Sequence, residues 1–338
     1  FGCDINYNIV QWLNVTCLQS ATAAFCTDSS LNANMTYWGF QLDSSSNWTY
    51  RNANPEIFLS PNICKWSFPG QAPSASPDER KCDARGLLRT RPSFQRQQFS
   101  EGTFFTDMDY MFSGCHNFNC GRAPGVGPNP LIDENTVLTE SPDPSYGMQT
   151  WSNSVTDISS LQSTFYDCSG FNDHLTFWRF KKLTILEACF RGCKSFNNGY
   201  SPDTSNNPGP FTLNCTWSSN TPTIKRAAMS YPSGTSQVTN MSRMFQDCLV
   251  FACDISNYSV KEVTNMNSMF ENTKAFDCSL AYWERLSTSP DGVSSLSQLA
   301  TANSMFKGSR FNRDINNWNV INLQEANSMF QDSSFNQD

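Results

Sequence analysis

The chain has 338 residues, a formal net charge of −7, 16% charged and 13% aromatic residues, and 14 cysteines. The negative balance and the lack of any Lys/Arg-rich run argue against nucleic-acid binding or adhesion to an anionic membrane, and no apolar stretch approaches the length of a membrane span. Few charges and many aromatics, with polarity carried by Ser, Asn and Thr, fit a core laid out as a continuous strip.

Residues 1–101 carry Cys3, Cys17, Cys26, Cys64 and Cys82 and are read as a separate Cys-rich domain. The chain opens on Phe1, which fits a removed signal peptide or a fragment. Residues 102–338 are organised differently. A Phe is followed five or six residues later by a second Phe at Phe112/Phe118, Phe165/Phe171, Phe190/Phe196, Phe245/Phe251, Phe270/Phe276, Phe306/Phe311 and Phe330/Phe335. Phe165 and Phe190 are 25 positions apart, as are Phe245 and Phe270, a period expected of stacked supersecondary units.

Apolar residues precede the first Phe by seven, four and one positions, as in Val263, Met266 and Met269 before Phe270. This spacing predicts one face of a short helix or helical turn. An aliphatic and an aromatic residue follow the second Phe at +4 and +7, as in Ile255 and Tyr258 or Ile315 and Trp318, and predict a short strand. Units of this size cannot cover their own apolar faces, so they are expected to stack into a solenoid.

The frame Met244-Phe245-x-x-Cys248-x-x-Phe251, with Val263 to Phe270 and Phe311 to Trp318, resembles the BspA-like leucine-rich-repeat surface proteins. The resemblance implies an α/β solenoid, leucine-rich-repeat-like, with one short strand and one short helix or helical turn per repeat of about 25 residues. It also implies an extracellular or cell-surface protein used in adhesion or interaction, without a shared active site. Cys64-Lys65-Trp66 and Cys82-Asp83 before Gly86-Leu87-Leu88 resemble the disulfide-bonded N-terminal cap of such arrays, which implies a Cys64–Cys82 bridge.

The even cysteine count and six sequons, at Asn14, Asn34, Asn47, Asn214, Asn240 and Asn257, predict a secreted eukaryotic glycoprotein. A glycan on Asn240 or Asn257, inside repeats, has to point outward. Cys253 and Cys278 share a register position in consecutive repeats, and stacked strands lie about 4.8 Å apart, so a Cys253–Cys278 bridge is expected. Cys168 and Cys193 also share a register; a bridge and a pair of buried thiols are both open there.

Three insertions break the period, at about 121–150, 198–237 and 284–298; the first two leave at the same register and should emerge along one edge. Catalysis has little to stand on. His116 and His174 are the only histidines, and the chain has no metalloprotease, nucleophile-elbow or phosphate-loop motif. No enzyme, cofactor or metal site is expected, although calcium at Asp/Asn-rich turns stays open. The sequence given stops partway through a repeat, at Phe335-Asn336-Gln337-Asp338. A bare Phe330/Phe335 layer is a liability unless the protein continues or a subunit covers it. Two readings follow. One is a building block of an extracellular filament or coat joined head to tail; the other is an adhesin or receptor-like ectodomain that holds a protein or glycan.

Overall fold

The computed structural model describes residues 22–33, 35, 107–128, 147–148, 151, 155, 158–175, 178–180, 182–201, 211, 235–283 and 296–337, with the strand residues 40–42, 48–50, 62–63, 95–96 and 214–215. Among the described residues three short strand pairs occur: β1 (Phe40–Leu42) with β2 (Trp48–Tyr50) and β3 (Asn62–Ile63) with β4 (Gln95–Arg96), both antiparallel, and β5 (Arg179–Phe180) with β6 (Asn214–Cys215), parallel.

Each Phe frame folds as one layer. Inside a layer the two Phe rings stack face to face, 4.3 Å apart for Phe112 and Phe118 and 4.0 Å for Phe245 and Phe251. Successive first rings then stack at 5.5 Å (Phe112–Phe165), 5.6 Å (Phe165–Phe190), 5.8 Å (Phe190–Phe245), 5.9 Å (Phe245–Phe270), 5.4 Å (Phe270–Phe306) and 5.5 Å (Phe306–Phe330). The second rings form a parallel column from Phe118 to Phe335. Stacks of this kind bury large areas and add a contact preference beyond area alone.

Of the two forms expected for the apolar stripe before each first Phe, a short helix or a turn, the structure has tandem tight turns. Alternate amides behave differently: Met111, Ser113 and Cys115 bond to the carbonyls three residues back, whereas Tyr110, Phe112 and Gly114 cross to Gln162, Thr164 and Tyr166 of the next layer. The pattern recurs down to Ser304, Phe306 and Gly308, which donate to Asn327, Met329 and Gln331. An α-helix would spend every amide inside the segment, four residues back. Here half of them are spent between layers, and two residues per layer must then turn left-handed. The residue two after each first Phe has positive φ and is Gly114, Asp167, Gly192, Asp247, Asn272, Gly308 or Asp332, residue types that tolerate this region. At Gly192 an added Cβ would also collide with Asp167 Oδ1.

The strand expected after each second Phe does not form a ladder in residues 251–258; an isolated parallel bridge instead joins consecutive layers five residues before the first Phe, Ser160 to Ile185, Asn240, Asn265, Thr301 and Glu325 in turn. The +4/+7 spacing serves side chains. Trp151 and Trp178 stack at 6.1 Å, Trp283 and Trp318 at 6.0 Å, and Trp283 Nε1 donates to the Ile255 carbonyl one layer back. An asparagine ladder runs beside the second rings: Asn32 Oδ1 accepts the Asn119 amide, Asn119 Oδ1 the Asn172 amide and Asn172 Oδ1 the Asn197 amide, at 2.8–2.9 Å.

Residues 22–33 belong to this stack, although they lie in the segment read as a separate domain. Phe25 stacks on Phe112 at 5.6 Å, and Ala23, Phe25 and Thr27 donate to Asp109, Met111 and Ser113. The frame is complete in Phe25, Leu31, Met35 and Trp38, with Leu31 in the place of the second Phe. Replacing Phe245 by Ala should cost about 3–5 kcal/mol, because a ring packed against those of Phe190, Phe211, Phe251 and Phe270 leaves a cavity that neighbouring layers hold open. The loss would be read from the urea midpoint against Gln331→Ala, an exposed change expected to stay within about 0.5 kcal/mol.

Candidate functional site

The position three after the first Phe is Cys115, Cys168, Cys193 and Cys248 in four consecutive layers, all buried free thiols. Each Sγ donates to the carbonyl of the first Phe one layer back: Cys115 to Phe25 at 3.0 Å, and Cys168 to Phe112, Cys193 to Phe165 and Cys248 to Phe190 at 2.9 Å. Of the two arrangements open for Cys168 and Cys193, the structure has the pair of buried free thiols. Shared register fixes the spacing of the backbones but not the direction of the Cβ atoms, and these sulfurs are committed to carbonyls. The Cys253–Cys278 bridge is likewise absent: both are free, with Cys253 Sγ 3.3 Å from Asn197 O and Oδ1 and Cys278 Sγ 3.3 Å from Asp254 Oδ1. Cys64 and Cys82 lie outside the described residues. Burial pushes the thiols of Cys168, Cys189, Cys193, Cys248 and Cys253 well above their ordinary range, and pushes Cys115 up to about 12.

The densest polar cluster lies where the first insertion leaves and rejoins the stack. Asp173, fully buried, receives the Arg122 guanidinium at 2.9 Å and the Met148 amide at 2.9 Å on Oδ2, and the His174 amide at 2.8 Å on Oδ1. Arg122 stands at the exit of the insertion and Met148 at its return, so one carboxylate closes the loop. Met148 and Trp151 then take the places that Leu175 and Trp178 hold one layer later, and Trp178 Nε1 donates to the Met148 carbonyl at 3.0 Å. Gly147, at φ +60, allows the approach: an added Cβ would lie 2.5 Å from Asp173 Oδ2. The root of the second insertion packs alongside, with Asn172 Nδ2 donating to the carbonyls of Gly125 at 2.8 Å and Tyr200 at 3.2 Å. Beyond it, Phe211 re-enters the core edge-on to Phe190, Phe196, Phe245 and Phe251.

His174 is buried beside this clamp, edge-on to Tyr200 at 5.7 Å, and desolvation lowers its pKa to about 4 against a smaller upward pull from Asp173. His116 is exposed, with Nδ1 2.8 Å from the Asp167 carbonyl. Among the described residues no group of three or more His, Cys, Asp or Glu side chains is placed to hold a metal ion, and no helix is long and apolar enough to cross a membrane.

Of the sequons, Asn240 is half-buried, with Nδ2 donating to Glu187 Oε2 at 3.1 Å and Oδ1 accepting from the Ser242 amide at 2.9 Å. A glycan on that Nδ2 would replace one of its two hydrogens and would have to emerge beside Glu187. Asn257 is half-buried, Asn214 lies in β6, and Asn14, Asn34 and Asn47 lie outside the described residues. Phe330 and Phe335 form the last described layer and are half-buried. The amides of Ser328, Phe330 and Asp332, whose equivalents in earlier layers cross to the next one, meet no acceptor among the described residues.

Two outcomes test this chemistry. In native protein, iodoacetamide should label Cys26 within minutes and leave Cys168, Cys193 and Cys248 unlabelled until denaturant is added, as followed by peptide mass. Asp173→Ala should destabilise by about 3–5 kcal/mol, since it strands a buried guanidinium, whereas removing the exposed Arg313–Asp277 pair should cost less than about 1 kcal/mol in the same urea titration.

Comparison with known proteins gives a family and no function. No curated protein and no solved structure matches the chain. Residues 136–207, 232–291 and 292–338 match a family described as Mycoplasma protein of unknown function, DUF285, and these segments contain the layers from Phe165 to Phe330. The match is consistent with the BspA-like resemblance and covers more than half of the chain, so the protein is a member of the DUF285 family.

Proposed function

We propose that the protein is a non-enzymatic structural component of an extracellular filament or surface coat, a secreted glycoprotein whose leucine-rich-repeat-like solenoid makes head-to-tail contacts. The observation that carries this reading is the polarity of the stack: alternate amides of each layer donate to carbonyls of the next, so one face of any layer complements the opposite face of another. A second copy that continues this polarity makes a heterologous contact, and such contacts build a filament when they do not close into a ring.

A second reading, an adhesin or receptor-like ectodomain, draws on a different observation. The roots of the first two insertions are held side by side by Asn172, which favours their presentation as one surface for a protein or glycan.

Electron microscopy of material recovered undenatured from its native extracellular setting separates the two. Filaments with a regular axial repeat are expected. Dispersed monomers that bind a surface ligand through the insertions would overturn the filament reading in favour of the adhesin.

A further inference from the structure

The Phe25 layer is set apart in sequence from the layer it packs on. Met35 and Asp107 are 72 positions apart, whereas 25 separate Phe245 from Phe270. The strands described in between form two-stranded sheets of their own, β1 with β2 and β3 with β4, which take no strand from the stack. The turns of the Phe25 layer also close on themselves, with the amides of Cys26, Asp28 and Leu31 donating to the carbonyls of Ala23, Phe25 and Asp28.

What holds this layer is the face of the Phe112 layer. Phe25 lies on Phe112 at 5.6 Å, the amides of Ala23, Phe25 and Thr27 reach the carbonyls of Asp109, Met111 and Ser113, and Cys115 Sγ donates to the Phe25 carbonyl at 3.0 Å. The fit is particular to this segment: a Cβ at Gly114, at φ +76, would stand 3.2 Å from Thr27 Cα, and Asn117 Nδ2 donates to the Ser29 carbonyl at 2.8 Å. Without the segment the Phe112 ring and three carbonyls would lose their partners, so the face requires it. The same residues from a second copy would restore every one of these contacts.

Only connectivity favours a chain's own layer over a neighbour's. By chain-closure scaling, a connection of 72 positions favours the chain's own layer about fivefold less than one of 25 does. Extended chain covers about 3.3 Å per residue, so the connection can reach well beyond the six ring steps of 5.4–5.9 Å from Phe112 to Phe330. We propose that copies of the protein exchange this layer: residues 22–35 of one copy seat on the Phe112 face of the next, and its own Phe112 face takes the layer of the copy before. Each copy gives at one surface and receives at another, so the contact is heterologous and continues from copy to copy. The exchange rests on the head-to-tail reading and supplies its joint.

Isotope mixing reads which copy supplies the layer. Ser29→Asp with Asn117→Lys, both at exposed positions, sets a carboxylate beside an amine across the joint. The double variant, grown on light or on heavy nitrogen, is mixed in equal amounts in denaturant with thiols kept reduced, refolded, allowed to assemble and treated with a carbodiimide, and the linked peptides are weighed. Exchange should place about half of the links between a light and a heavy peptide, as random pairing of two equal pools requires, whereas a layer kept by its own chain gives none. Filaments whose links join only like isotopes, or whose joint gives no link, overturn the exchange and leave the head-to-tail reading standing. Mixed links in closed dimers without filaments uphold the exchange and overturn the head-to-tail reading; monomers with like-isotope links overturn both. Should the double variant not refold, Asn117→Lys alone, with Asp28 as the carboxylate, gives the same count.

Discussion

The molecule depends on how each turn divides its backbone hydrogen bonds. Half of the amides close tight turns inside a layer, and the other half point along the stack to the carbonyls of the next layer. That division flattens each unit, aligns the Phe pairs and fixes the axial spacing at which rings touch. It also demands left-handed residues at two places per layer, which Gly, Asn and Asp meet at one of them in every layer from Phe112 onward, with Thr27 there in the Phe25 layer. At the other, Tyr110, Ser163, Ala188, Arg243 and Ser268 accept a conformation costing roughly 1–2 kcal/mol each, held by the interlayer bonds on either side.

A stack so dry must also satisfy its polar atoms internally. The thiol column, the asparagine ladder and the indoles of Trp151, Trp178 and Trp283 solve this in one way, with a side chain in one layer completing a backbone group of its neighbour. The thiol serves because it reaches the Phe carbonyl one layer back; Thr273 and Ser333, at the same register in later layers, bond instead to the Phe carbonyl of their own layer at 2.7 Å. Asp173 is the costly variant, a buried charge whose guanidinium partner comes from the insertion it secures.

Much of the layer was legible in the sequence, because Phe, Met and Ile at fixed intervals carry their burial on their face. Phe112, Phe118, Met244 and Ile255 are fully buried as their spacing predicts. The backbone path was harder to read. Intervals of three and four also suit tandem turns, and the signal that separates turn from helix was the Gly, Asn or Asp two residues after each first Phe. The layer at Phe25 was missed because Leu31 replaces a Phe, although Met35 and Trp38 keep the frame. The cysteine pairing misled for a different reason: register reports which residues are neighbours and says nothing about where a short side chain aims. Asp173 could not have been singled out, since its partners Arg122 and Met148 are 26 positions apart and meet only when the insertion closes.

The asymmetry of the interlayer bonds has an evolutionary corollary. Every layer from Tyr110 onward offers donors on one side and acceptors on the other, so any layer presents its successor with the same backbone interface. A duplication or deletion of the 25 positions from one first Phe to the next, as between Phe245 and Phe270, hands the new neighbour an equivalent surface. Array length is then free to drift among descendants without redesign of any single joint, while extra sequence accumulates where the insertions already leave the stack.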